Sequence, residues 1–172
     1  SASITLNSGT LWIAGQEDTI RNLTINGGDS NGGTNSNGAK FTISETLTIT
    51  GTGSLGTNSN ANWSANAVVM TGSGTALTMT GNSTTAVSQF TIGSGGLSIT
   101  GRTINLNTGN TGNASAYGSR IILNGDVTAT GVNNFTKNGT NVGVAQIDMG
   151  ASTRTWNVIK LIDTNVTTVA IS

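Results

Sequence analysis

Residues 77–81 read Leu-Thr-Met-Thr-Gly, and three near copies occur elsewhere: Leu-Thr-Ile-Thr-Gly at 47–51, Leu-Ser-Ile-Thr-Gly at 97–101 and Val-Thr-Ala-Thr-Gly at 127–131. Each alternates apolar residues with hydroxyl residues and closes on glycine. Alternation of period two marks a strand with one buried face, and the glycine marks a corner. The copies begin 30, 20 and 30 residues apart. Recurrence at such intervals is what stacked coils demand, because each coil must set the same strand and corner on the one below. The expectation is an all-β parallel β-helix (β-solenoid) of about six to seven irregular coils, forming a single domain over residues 1–172. The domain is read either as a whole or as a fragment of a longer repeat protein.

The rest of the chain agrees. Alternation returns in Ile4–Asn7, Leu23–Asn26, Phe41–Ser44 and Ile104–Asn107. These runs are about four residues long, and isolated hairpins so short are marginal in water. Stacking supplies the missing neighbours. Frequent Gly, Asn and β-branched residues leave no window with a sustained helical period. The uneven intervals are explained if loops leave the stack after Gly27, after Gly51 (residues 51–67, which contain Trp63) and after Asn107 (residues 107–119, which contain Tyr117). Lengthening such loops costs little entropy. Proline is absent, as suits a stack in which strand N–H groups donate to the next coil.

Composition narrows the function. Seven Lys and Arg balance seven Asp and Glu, and only 8% of residues are charged, so no basic footprint for nucleic acid or an anionic membrane exists. No apolar run reaches the roughly 20 residues of a membrane-spanning helix. Neither Cys nor His occurs, which removes thiol nucleophiles, imidazole bases and the common zinc ligands. The expectation is a protein without catalytic residues, cofactor or metal.

Four groups of residues compete with a purely structural role. If Leu47, Ile49 and their equivalents face the core, then Thr48, Thr50, Thr78, Thr80, Ser98, Thr100, Thr128 and Thr130 face out. Coils about 4.8 Å apart would align these in two hydroxyl and methyl columns, a surface suited to ice. Trp63 and Tyr117, placed in the long loops, are candidate platforms for stacking a sugar, whereas Trp12 and Trp156 near the two ends are expected to cap the core. Asp126 and Asp148, 22 residues apart, would stand on neighbouring coils near Arg120 or Arg102, the arrangement a glycan-cleaving solenoid would need. Glu17 and Asp18 are adjacent, so on a strand they point to opposite faces. The Gly27–Asn35 loop offers a calcium ion one carboxylate, too few for a strong site.

The segments GSGTALTMTGNST, FTIGSGGLSITG and IDMGASTRTWNVIKL resemble the autotransporter-associated β-strand repeats of bacterial secreted passengers, over roughly residues 68–162. The resemblance implies a right-handed β-helix at the cell exterior with an adhesive or structural role. Taken together, the expectation is a non-catalytic extracellular protein of a bacterial cell surface: an adhesin or passenger segment, or the subunit of a filament. Its partners would be itself, head to tail through the solenoid ends, or cell-surface glycans, with neither nucleic acid nor membrane insertion. A binding module for ice or glycan is the first alternative, and a phage tailspike-like glycan-active protein the second.

Overall fold

A computed structural model of the chain describes residues 1–13, 17–32, 40–58, 61–81, 87–107, 117–137, 144–150, 155–158 and 170–171. Every regular element among them is a strand. The first are β1 (Ser3–Leu6), β2 (Thr10–Trp12), β3 (Glu17–Ile20), β4 (Asn22–Ile25), β5 (Asp29–Gly32) and β6 (Lys40–Ile49). The middle holds β7 (Ser54–Asn58), β8 (Asn62–Thr71), β9 (Thr75–Thr80), β10 (Ser88–Thr100) and β11 (Thr103–Asn107). Then come β12 (Tyr117–Leu123), β13 (Val127–Thr130), β14 (Asn134–Thr136), β15 (Val144–Asp148), β16 (Trp156–Val158) and β17 (Ala170–Ile171).

The chain visits two sheets in turn, and all pairings are parallel. The larger sheet runs β1-β4-β6-β8-β10-β12-β15-β17, with β3 beside β6, β13 beside β10, and β16 beside β13. The smaller runs β14-β11-β9-β7-β5-β2. Strand order follows sequence order in both, so each rung rests on the preceding one, the arrangement of a β-helix.

Register explains the core. Leu23, Leu47, Val68, Leu97 and Val127 stand in one column, at intervals of 24, 21, 29 and 30 residues. Beside it runs a second column, Ile25, Ile49, Met70, Ile99 and Ala129. The smaller sheet answers with Leu55, Leu77, Ile104 and Phe135. All these residues are buried. A fully buried Leu or Ile stabilises the fold by about 1.5–3 kcal/mol relative to an exposed one, and the columns repeat that gain at every rung.

The recurrent glycine has a geometric cause. Gly51, Gly72, Gly101 and Gly131 follow the strands of one column, with φ of 60°, 112°, 68° and 78°. That left-handed conformation is disfavoured for residues with a Cβ. The stack adds a second constraint, because a Cβ on Gly72 would lie 2.6 Å from Gly51 O and one on Gly101 would lie 2.8 Å from Gly72 O.

Two sequence expectations are corrected here. Leu77-Thr78-Met79-Thr80 is not equivalent to the other three copies, because it forms β9 in the smaller sheet, where Leu77 pairs with Leu55 and Ile104. The true member of the column is Val68-Val69-Met70-Thr71, so Leu47 and Leu97 are two rungs apart. Nor do the described parts of the segments after Gly27 and Gly51 leave the stack, residues 33–38 and 59–60 lying outside the described residues. They carry β5, β7 and the start of β8, all of them ladder strands. Part of the third expected loop, residues 108–116, lies outside the described residues.

Candidate functional site

Strand alternation that sends one set of side chains inward sends the other to solvent, and on the larger sheet the outward set is rich in hydroxyls. One column reads Thr5, Thr24, Thr48, Val69, Ser98 and Thr128. The next contains Thr71, Thr100 and Thr130 in direct register, with Thr50 one rung before Thr71, and Thr50 Oγ1 donates to Asn26 Oδ1 at 2.6 Å. Six of the eight expected ladder residues therefore share this face: Thr48, Thr50, Ser98, Thr100, Thr128 and Thr130. Thr78 and Thr80 do not. They face out from the smaller sheet, beside Gly56 and Asn58 on one side and Asn105 and Asn107 on the other. Thr5, Thr24 and Thr71 were missed as members. Their signal was the register itself, hidden because Val69 puts an apolar residue at an outward position.

The smaller sheet's outer face is laced between rungs. Thr136 Oγ1 donates to Asn105 Oδ1 at 3.2 Å, and the amide groups of Asn107 and Asn134 donate to Thr80 and Thr103 hydroxyls at 3.4 Å. These contacts link neighbouring rungs, while Asn107 Oδ1 is buried without a hydrogen-bond partner among the described residues.

Trp63 is not a loop platform. It lies in β8, fully buried, its ring 4.7 Å from that of Phe41 at 49°. The alternation Trp63, Ala65 continues the inward face of the strand, and the Asn-rich surroundings concealed it. Trp12 reverses the other way: expected to cap the core, it is 55% exposed at the outward position of β2. Tyr117 starts β12, and its side chain, like that of Trp156, lies outside the described residues.

The charged groups are engaged rather than assembled. Arg120 Nη2 bonds Asp148 Oδ2 across the β12–β15 ladder. The Gly150 N–H, donating to Asp148 Oδ1 at 2.8 Å, and then Arg120, hold the Asp148 carboxyl below its usual range. Asp126 is not level with Asp148: its Oδ1 accepts Thr155 N–H at 3.0 Å. The Arg21 and Asn22 side chains, bonded to Glu45 at 2.7 and 3.0 Å, hold the Glu45 carboxyl down. Asp29 accepts Ser54 Oγ at 2.6 Å from within a strand, the first part of the candidate calcium loop. Residues 33–35 of that loop lie outside the described residues, and no group of three or more metal-ligating side chains occurs among those described.

Arg102 was misread. It is 1% exposed and has no carboxylate partner among the described residues. Nη1 donates to Gly51 O at 2.6 Å and Ser73 O at 2.5 Å, while Nη2 donates to Gly53 O and, at 3.4 Å, to Thr75 O. Burial lowers its pKa, yet a guanidinium stays protonated throughout the range in which proteins fold. One cation thus ties the corners of three successive rungs. Asn133, also buried, accepts Arg102 N–H at 3.2 Å and donates to Thr130 O at 3.0 Å. The available signal was an Arg directly after a corner glycine in a chain poor in charge.

Among the described residues the site is therefore a polar surface built on a ladder, with an open hollow at the β3–β6 pair lined by Glu17, Asp18, Thr19, Lys40 and Thr42. Comparison with known protein families, with curated proteins and with solved structures found no match for this chain.

Proposed function

We propose that the chain is a non-catalytic structural protein of the cell exterior, a right-handed β-solenoid of about six to seven coils acting as a passenger or adhesin segment on a bacterial surface. The observation that carries this reading is the continuous parallel ladder, two of whose outward columns, Thr5-Thr24-Thr48-Val69-Ser98-Thr128 and Thr71-Thr100-Thr130, are mostly hydroxyl residues. Such a ladder resists unfolding rung by rung, and its uncharged hydroxyl face keeps it in solution without bulk electrostatic attraction. The resemblance to autotransporter-associated repeats points the same way. Asp126 and Asp148 each have a partner within the ladder, which favours the structural reading over the glycan-cleaving alternative.

A filament subunit is the second form of the same reading. It follows from the parallel ladder, in which each rung pairs with the next along one axis and strand edges accept further strands. The Thr columns favour an adsorptive role toward ice or glycan, as the first alternative holds.

Negative-stain electron microscopy with sedimentation over a range of concentrations tests the proposal. Monodisperse short rods support a passenger or stalk segment, and long fibres of uniform width support the filament form. Particles with no axial elongation would overturn both.

A further inference from the structure

The smaller sheet presents a second outward surface, different in kind from the hydroxyl columns of the larger one. Trp12, Asn31, Gly56, Thr78, Asn105 and Thr136 follow one another in register along its outer face, one residue per rung. Trp12 points outward because both its neighbours point inward: Leu11 packs on the core and Ile13 is buried in it. Rungs pair side by side along the axis, so an adjoining rung flanks the indole and leaves its outward surface in solvent. The ring has no aromatic or hydrogen-bonded partner among the described residues. It is a large apolar plane with a polar tip, the kind of side chain that recognition surfaces favour.

Further along the column the face opens to the backbone. Gly56 stands between buried Leu55 and Thr57, so its outward position carries no side chain. Glycine within a strand often marks the close approach of a ligand. Beyond it lie unpaired hydrogen-bonding groups. Thr78 Oγ1 has no partner among the described residues, and Asn105 accepts Thr136 Oγ1 through Oδ1 while its Nδ2 donates to none of them. At about 4.8 Å per rung, four rungs set Trp12 and Asn105 about 19 Å apart, room for several sugar rings in line. The six strands of this sheet carry no Lys or Arg and a single carboxylate, Asp29, which accepts Ser54 Oγ. A polyanion would find no countercharge here.

We infer that this column binds an uncharged polysaccharide laid along the solenoid axis. One sugar ring stacks on Trp12, the chain passes close to the backbone at Gly56, and its hydroxyls bond Thr78 and Asn105. Sugar rings suit these partners, because their C–H faces lie flat on an aromatic plane while their hydroxyls both donate and accept. The inference rests on the adhesin form of the reading above and names the chemical class of its partner.

The test is affinity electrophoresis of the full chain through native gels containing hydroxyethyl cellulose, galactomannan or arabinoxylan, with alginate as the acidic comparison and urea midpoints measured alongside. The parent is expected to be retarded by at least one neutral polymer and not by alginate. Trp12→Ala is expected to weaken that binding about tenfold or more, as loss of an aromatic anchor does, and Trp12→Tyr to retain most of it. Thr78→Val keeps the β-branched shape without the hydroxyl and is expected to weaken binding about three- to tenfold. Equal retardation of the parent and Trp12→Ala would place the glycan elsewhere and overturn the site. If Trp12→Ala loses binding only together with a fall in the urea midpoint, and Thr78→Val binds as the parent does, Trp12 serves folding and the site is overturned. No retardation by any neutral polymer, or retardation by alginate alone, overturns it as well, while short rods in the electron microscope would leave the structural reading standing.

Discussion

Replacing Arg102 with Met removes a cation that no carboxylate among the described residues balances, and the structure allows the cost to be worked out. Thr75 O at 3.4 Å contributes little, leaving three strong acceptors: Gly51 O, Ser73 O and Gly53 O. Hydrogen bonds from a charged donor contribute about 1.5–3 kcal/mol each, for a gross loss of about 5–9 kcal/mol. Burying the cation already costs the native protein several kcal/mol, which Met avoids. Exchanging whole buried ion pairs for apolar residues is often neutral. Here the acceptors are backbone carbonyls and remain behind, so a net loss of about 2–4 kcal/mol is expected. For a chain of this size that lowers Tm by about 4–16 °C. Arg102→Lys keeps the charge but reaches fewer carbonyls from a single nitrogen, so its Tm should fall between the two. Thermal unfolding followed by circular dichroism provides the assay. An Arg102→Met variant melting within about 1 °C of the parent would refute the reasoning, because the carbonyls would then have lost nothing.

Further tests address the core, the corners and the carboxylates. Trp63→Ala should cost about 3–5 kcal/mol in urea unfolding, the range for a large buried aromatic, whereas a solvent-facing platform would cost almost nothing. Gly101→Ala and Gly74→Ala share a left-handed backbone, with φ of 68° and 78°, but a Cβ on Gly74 meets nothing within 4 Å. Both should lose about 1–2 kcal/mol to backbone strain, and Gly101→Ala should lose more because its Cβ crowds Gly72 O. Asp148 and Glu45 have folded-state pKa values below their usual ones. Their contribution to stability is therefore full above the unfolded-state values and is lost as pH falls through the folded ones. Urea midpoints should hold level near neutrality and drop below about pH 4, and Asp148→Asn should flatten part of that drop.

Strand identity was legible because alternation is local. Leu23-Thr24-Ile25, Phe41-Thr42-Ile43 and Ile104-Asn105-Leu106 all lie in strands with their apolar residues buried. Register was not legible, since it is a relation between rungs of unequal length. Leu77 matches Leu47 better in sequence than Val68 does, yet Val68 is its partner in space. The hydroxyl face was found in outline because alternation fixes which side chains face out, but its membership depended on register and so lost Thr24 and Thr71. Trp63 misled because Asn and Ser suggest a loop, although in a ladder they are ordinary outward residues. Arg102 breaks the inward pattern outright, and only the neighbouring rungs explain it, because their carbonyls surround its guanidinium.

The column of left-handed glycines leaves a line along the molecule from which no side chain projects. On the strand faces a substitution changes surface chemistry and leaves the backbone untouched, so those positions are open to drift and selection. Along the glycine line almost any change bends the backbone or strikes the rung beneath. New recognition chemistry in this protein therefore has room on the faces beside that seam, while the seam itself accepts little besides glycine.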